Sequence, residues 1–290
     1  MAGVQDAPAL PRDGQAPTNR HYDQSPRVFQ LYLDESCKYS SGIYRSPTTT
    51  LDQAQRAKLH FVADRLGLTG RKHPRLLDIG CGWGSLILFM AAEYGAEAVG
   101  ISPAPNQHAY IARLAAERGL TDRVSTRVGR VEELELEDRG YDAVTMLGSI
   151  VHMPDLDGAF AAARAALRPR GRLYVSESCY RNEAKHTEFA DRAGSVFVRD
   201  SIFGWGDMRP LSELVRGAEN AGLSVVAVDD LTEHYHRTIE DWLANVQRNA
   251  AQLEELEVGL PEQLTRYLQT ANAGWGYTTK HYALTCQRSR

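Results

Sequence analysis

The chain has 290 residues, 43% of them hydrophobic and 24% charged, which supplies a sizeable core for one large or two small folded units. A formal net charge of -4 carries no basic footprint for nucleic acid, and no apolar run approaches the length of a stable membrane insertion. Four cysteines, Cys37, Cys81, Cys179 and Cys286, lie far apart with no C-x-x-C or Cys/His ligand spacing, so no disulfide framework and no metal site is implied, and a cytoplasmic location is expected.

Residues 1–20 are rich in Pro, Gly, Gln and Asp, lack the apolar core of a secretory leader, and read as a disordered arm. His21-Tyr22-Asp23 follows, then a short helix over Arg27 to Leu33 and a turn-rich loop at Tyr39-Ser40-Ser41-Gly42-Ile43-Tyr44. Thr50 with Gln53 three residues on is a capping-box pattern. It opens a helix to about Leu66 with Leu51, Ala54, Ala57, Lys58 and Phe61 on one stripe. Residues 21–70 therefore read as a helical N-terminal cap, and 71–290 as the main domain.

That domain alternates. Strands are expected over Arg75 to Ile79, Glu97 to Ile101, Val124 to Val128, Tyr141 to Leu147 and Arg172 to Glu177. Helices fall between them at Ser85 to Tyr94, Asn106 to Arg118 and Asp157 to Leu167, the last followed by a turn at Arg168-Pro169-Arg170-Gly171. This order predicts an α/β, Rossmann-like parallel sheet covered on both faces. Residues 179–210 break the alternation. They are polar with Phe197, Phe203 and Trp205 interspersed, and read as a lid insertion after strand five. A helix over Pro210 to Ala221, a sixth strand over Ser224 to Asp229, a long charged helix over Thr238 to Glu257, another over Pro261 to Ala273 and a seventh strand over His281 to Gln287 complete the chain.

Arg75-Leu76-Leu77-Asp78-Ile79-Gly80-Cys81-Gly82-Trp83-Gly84 is an apolar strand with an acid near its end, a glycine turn and a helix N-terminus. Glycines let backbone approach a ligand closely, and the first helical N–H groups are free for a carboxylate or phosphate. The spacing is G-x-G-x-G, not the G-x-G-x-x-G of a dinucleotide site, which argues against a nicotinamide oxidoreductase. In this setting the stretch resembles the S-adenosylmethionine (SAM) site of class I methyltransferases. Ligands in open parallel sheets lie at the carboxyl ends of the strands. That makes Asp78, Gly80, Gly82 and Gly84 cofactor-binding candidates. Ser102 and Gln107 stand where many such folds place an acid for the ribose. Arg130 and Val131 follow strand three, and Leu147 ends strand four.

A narrower resemblance covers about residue 21 to the C-terminus. His21-Tyr22-Asp23, Tyr39-Ser40-Ser41-Gly42, Thr50-Leu51 with Ala54-Gln55 and Ala57-Lys58-Leu59, the Leu77 to Gly84 stretch with Trp83, Asn106-Gln107, and His234-Tyr235 with Thr238 and Trp242 resemble the cyclopropane fatty acid and mycolic acid cyclopropane synthases and their plant N-methyltransferase relatives. The resemblance implies SAM-dependent methyl transfer onto an apolar small-molecule acceptor, with Tyr39 and Ser40 beside the cofactor. In those synthases an alkene carbon is methylated and proton loss closes a cyclopropane. They hold a bicarbonate base with a Cys, a Glu and a His. The matching places here are Ser41, Val151 and Ser176. Either a side chain removes the proton or the product needs no such step. The stretches His152-Met153-Pro154-Asp155 and Leu167 to Gly171 look more like methyltransferases of secondary metabolism. N- or O-methylation of a small molecule is the alternative to carbon methylation.

Three side chains are candidate catalytic groups. His152, past strand four, titrates near neutral pH or is a loop hydrogen-bonder. Glu177 ends strand five, where it is expected to face the same cleft, with burial raising its pKa, or to form a buried ion pair. Tyr235 matches a tyrosine of the family site or is an aromatic anchor. His21 and Tyr22 are expected to reach the substrate from the cap, and Phe203 and Trp205, with Trp275, to wall it. His234 and His236 flank Tyr235 without a third ligand and read as surface residues.

Overall fold

The computed structural model of the chain describes residues 25–199 and 206–289. His21, Tyr22, Phe203 and Trp205, expected at the substrate, and the 1–20 arm lie outside the described residues. The elements, in chain order, are α1 (Pro26–Tyr32), α2 (Leu51–Leu66), β1 (Arg75–Ile79), α3 (Ser85–Tyr94), β2 (Glu97–Ser102), α4 (Pro105–Glu117), β3 (Val124–Val128), β4 (Tyr141–Leu147), α5 (Leu156–Ala166), β5 (Leu167–Tyr180), α6 (Glu183–Phe189), α7 (Ala193–Val198), α8 (Leu211–Asn220), β6 (Leu223–Asp230), α9 (Thr232–Arg248), α10 (Ala250–Leu256), α11 (Leu260–Asn272) and β7 (Thr279–Arg288).

The seven strands form one sheet in the order β3-β2-β1-β4-β5-β7-β6. β1 to β5 run parallel, and β7 lies antiparallel between β5 and β6. Strand order reverses between β1 and β4, so the crevice beyond their carboxyl ends is the place for a ligand. The capping box forms at Thr50 and Gln53, and Gly67 ends α2 in the left-handed conformation. The buried stripe of α2 is Ala54, Gln55, Lys58, Leu59, Val62, Ala63 and Leu66. It brings a lysine to the sheet, because α2 packs on the sheet face as well as bordering the cleft.

Side chains alternate along a strand, so each face has its own set. Leu76, Ala98, Ala143, Leu147, Tyr174 and Ala283 form the core under α2, α3 and α4. Leu77, Ile79, Val144, Met146, Leu173, Val175, Cys179 and Leu284 form the core under α5 and α8. A third core joins α1, α9 and α11 around Phe29, Tyr32, Trp83 and Trp242. Trp83 meets the rings of Phe29 and Tyr110 at centroid distances of 5.3 and 5.2 Å. The aromatic residue of the glycine turn thus holds the N-terminal helix against the sheet's carboxyl edge.

Three expectations are corrected. β5 runs from Leu167 to Tyr180, and the Arg168 to Gly171 turn is an irregularity inside it, with a register shift between Tyr141 and Ala143 and Arg170 at φ 65°. The long charged helix is two helices, broken at Asn249, whose side-chain amide donates to the Leu31 carbonyl at 2.6 Å. The first of them begins at Thr232, whose N–H donates to Asp230 Oδ1 at 3.0 Å. The segment after β5 contains α6 and α7 and returns beside β5, where the Tyr180 N–H donates to the Arg209 carbonyl at 3.1 Å.

Candidate active site

The glycine turn is built as its local chemistry requires. Gly80 and Gly82 have φ of 83° and 53°, values that a Cβ penalises. Gly80 and Cys81 return their N–H groups to the Ile101 carbonyl, which ties the turn to β2. A Cβ on Gly82 would meet no atom within 4 Å, so the turn opens onto space at this point. Gly84, left-handed at φ 81°, begins α3, and no side chain caps the helix. Its first N–H groups remain available to an anion.

Asp78 is 1% exposed. Its Oδ1 accepts from the Thr145 hydroxyl at 2.7 Å, while its Oδ2 is buried with no hydrogen-bond partner among the described residues. Burial pushes the Asp78 carboxyl above its ordinary value, against the opposing pull of Lys38, Thr145 and Lys58. Lys38 and Lys58 are both buried, and desolvation lowers both ammonium pKa values. Lys58 Nζ donates to Ser40 Oγ at 3.1 Å, and the Gln55 side chain donates to the Ser40 carbonyl at 2.7 Å. An orphaned carboxylate oxygen, two buried amines, an open glycine and an uncapped helix start fit the amino and carboxylate groups of SAM. Ser102 and Gln107, both buried, stand at the end of β2, where the Ser102 hydroxyl donates to Gln107 Oε1 at 2.6 Å. Val131 is buried after β3, Arg130 is half-buried beside it, and Leu147 ends β4 at 5% exposed.

The Tyr39 to Tyr44 loop is stitched to α9. The Gly42 N–H donates to Thr238 Oγ1 at 2.9 Å, and the Tyr44 N–H donates to His234 Nδ1 at 3.2 Å. The reading of His234 as a surface residue is therefore corrected: it is half-buried and holds this loop. Tyr39 stacks on Trp242 at 5.1 Å, and its hydroxyl donates to Tyr267 at 3.4 Å. Tyr235 meets Trp242, Trp275 and His281 at 5.9, 5.1 and 4.5 Å. Rings from three elements thus converge on the carboxyl edge of the sheet.

The structure separates two of the candidate catalytic residues. Ser176 and Ser178 lie on the sheet face that carries Asp78, Thr145 and His281, and Tyr235 packs against that face. Glu177, between the two serines, points to the opposite face, with Val175 and Cys179. Glu177, expected to face the same cleft as His152, reaches the loop that carries His152, while strand alternation puts it on the face opposite Tyr235. The Glu177 carboxylate accepts from the Ser178 N–H at 2.9 Å and the Val151 N–H at 3.3 Å, and so braces the loop after β4. A small cavity beside it is lined by Ile150, Val151, Asp207, Arg209 and Leu214. Arg209 donates to the Met153 and Pro154 carbonyls at 3.4 and 3.3 Å. His152 is half-buried in the same loop, where its N–H donates to the Ser149 carbonyl at 3.1 Å.

Burial raises the Glu177 pKa to about 7, with the two backbone N–H groups opposing. A carboxyl whose folded pKa lies above its unfolded value of 4.5 contributes stability that is complete below the latter and lost as pH rises through the former. Wild-type protein is expected to lose about 3 kcal/mol through this group between pH 4.5 and 7. Glu177→Gln should flatten that part of the profile. Urea midpoints of both proteins at pH 5 and pH 8 check this, and parallel profiles would contradict it.

Three residues that the sequence did not single out as site residues belong to this region: Lys38, Lys58 and His281. Lys58 left a trace, as a lysine on the apolar stripe of its helix. His281 left none, because its partners are Ser176 and Ser178 on a distant strand.

Residues 12–282 match the family model described as mycolic acid cyclopropane synthetase. A probable fatty acid methyltransferase of Pseudomonas putida is 32% identical over 261 residues, 89% of this chain, which spans 64% of that protein's length. Cyclopropane mycolic acid synthase 2 of Mycobacterium leprae is 30% identical over 243 residues, 78% of each chain. The solved structure of mycolic acid cyclopropane synthase CmaA1 complexed with SAH and CTAB superposes with a TM-score of 0.85 at 25% identity, covering 93% of this chain and 96% of that one.

Proposed function

The chain belongs to the mycolic acid cyclopropane synthetase family, and on that premise we propose that it is a SAM-dependent methyltransferase acting at an alkene carbon of an apolar, lipid-like acceptor. The observation that carries the choice of acceptor is the aromatic wall of Tyr39, Tyr235, Trp242 and Trp275 at the carboxyl edge of the sheet. Ring faces tolerate an apolar chain and attract the positive charge that develops on a methylated alkene. The relatives named as fatty acid methyltransferase and cyclopropane mycolic acid synthase support an acyl-chain acceptor.

Bound SAM supplies an electrophilic methyl group. Asp78, Lys38 and Lys58 and the start of α3 hold its aminocarboxylate end, and Ser102 and Gln107 lie at the ribose position. Tyr39 and Ser40 close the cofactor side from the loop that Thr238 and His234 anchor. Holding cofactor and acceptor together supplies most of the acceleration, because such a transfer is governed by proximity and alignment. Tyr235 is placed to line the acceptor, and His152 to border it from the loop after β4.

Incubation of the full chain with SAM carrying a 13C methyl group, and with vesicles of monounsaturated phospholipid, tests this reading. The expected result is label bonded to carbon, read by NMR as high-field cyclopropane signals or as a branched methyl. Label found only on nitrogen or oxygen of an amine or hydroxyl acceptor supplied alongside would overturn it.

A further inference from the structure

His281 is 2% exposed and stands on β7 opposite Ser178. Its two ring nitrogens lie 2.9 Å from Ser176 Oγ (Nε2) and 3.3 Å from Ser178 Oγ (Nδ1). The edge of Tyr235 meets its ring at 4.5 Å, and its backbone N–H donates to Thr232 Oγ1 at 3.1 Å. Ser176 pairs in register with Leu147 at the end of β4, and its carbonyl accepts the Gly148 N–H at 2.8 Å. The serine hydroxyl therefore sits at the carboxyl edge of the sheet, on the face of Asp78, with the imidazole behind it. Burial and the nearby Lys58 lower the imidazole pKa to about 3, so the ring is neutral. A neutral ring donates from one nitrogen and accepts at the other, and two hydroxyls satisfy both.

We propose that Ser176 and His281 form the proton relay that completes the reaction. This rests on methyl transfer to an alkene carbon, as read above. Transfer leaves the acceptor as a carbocation. A C–H bond breaks, on the transferred methyl group where the ring closes or on a carbon beside the cationic carbon where a double bond forms, and its electron pair makes the new carbon–carbon bond. The proton passes to Ser176 Oγ as the Ser176 hydroxyl proton passes to His281 Nε2. Nδ1–H of the same ring remains directed at Ser178 Oγ. The imidazolium proton leaves to solvent as product departs. The pocket's net charge is unchanged throughout, since the positive charge moves from sulfonium to carbocation to imidazolium. A weak base suffices, because a proton next to a carbocation is a far stronger acid than an imidazolium. Ser176 touches the acceptor in this scheme, and His281 is a positioning residue that acts through it.

The test uses the full chain with methyl-labelled SAM and vesicles of monounsaturated phospholipid. His281→Asn and Ser176→Ala are expected to bind SAM as wild type does by calorimetry, which shows the fold intact. Their kcat for the ring or alkene product should fall about 10²-fold with KM little changed. Part of the methylated lipid should appear as the methyl carbinol, because water then captures the cation. A merely structural role would not create that product. In addition, 15N NMR of the cofactor-free wild type should show the His281 ring neutral at pH 7 with the proton on Nδ1, and Ser176→Ala should shift the Nε2 resonance. Methyl transfer by wild type together with an unchanged rate and product pattern in both variants would overturn the relay alone. A protonated His281 ring at pH 7 would also overturn it. Wild type that places no methyl group on lipid carbon would overturn the proposed function and the relay with it.

Discussion

Asp78→Ala is expected to lower stability at neutral pH by about 3–5 kcal/mol, the usual cost of removing one partner from a buried charged cluster. The carboxylate is 1% exposed and shares its surroundings with Lys38 and Lys58, so its loss leaves two buried amines with Asp34 as the remaining carboxylate acting on both among the described residues. Thr145 also loses the nearer acceptor of its hydroxyl and keeps the Leu77 carbonyl at 3.4 Å. SAM affinity should fall roughly ten- to a hundredfold, because the Oδ2 without a protein partner is the acceptor offered to the cofactor's amino group. Urea unfolding and calorimetric titration with SAM check the two parts separately. Asp78→Asn keeps the shape and removes the charge, so it should recover part of the stability and little of the affinity. Wild-type affinity in either variant would remove Asp78 from the cofactor site.

Gly80→Ala and Gly82→Ala are expected to fail in different ways. At Gly80 the new Cβ would stand 2.2 Å from Ser149 Cβ, at a φ of 83°. The left-handed backbone costs about 1–2 kcal/mol, and overpacking about 1–3 kcal/mol more. Ser149 cannot move freely, since its hydroxyl donates to the Ile79 carbonyl at 2.6 Å. Gly80→Ala should therefore lower the urea midpoint sharply and drag the loop after β4 with it. At Gly82 the Cβ would meet nothing, so only the backbone term of about 1–2 kcal/mol applies. Its side chain would instead enter the space that the turn leaves for the cofactor. Gly82→Ala should keep most of its stability and lose SAM binding. A Gly82→Ala protein that binds SAM as wild type does would mean that this space is not the cofactor's.

The contrast between those two glycines shows where the sequence was readable. The strand, turn and helix from Arg75 to Tyr94 follow from local chemistry: an apolar run, left-handed glycines and a helix start. All of those signals lie within twenty residues of one another, and the structure keeps the bounds. The capping box at Thr50 is legible for the same reason. Helix starts without an apolar period are not. α9 opens through His234-Tyr235-His236, where polar and aromatic residues hide the stripe, and Asp230 supplies the starting hydrogen bond from the strand before it.

The candidate site was half legible. Asp78, the glycines, Ser102, Gln107 and Leu147 were legible as candidates because each lies at or just past the carboxyl end of a strand of the parallel sheet. The acceptor side depends on which face a residue takes, and period-two alternation gives opposite faces to neighbours without saying which face is which. Ser176 and Glu177 are adjacent in sequence and lie on opposite faces of the sheet. His281 stands 105 residues from Ser176, and only the antiparallel insertion of β7 beside β5 brings them together. Lys38 and Lys58 read as ordinary loop and helix residues until burial places both amines beside Asp78.

A crystal structure of the full chain with S-adenosylhomocysteine tests the central claim most directly, namely that cofactor and acceptor meet on the face that carries Asp78, Ser176 and His281. The account predicts the amino group on Asp78 Oδ2, and the sulfur opening toward Tyr235 and Ser176. A sulfur directed across the sheet edge toward Glu177 and Arg209, with Tyr235 and His281 remote from it, would contradict the account.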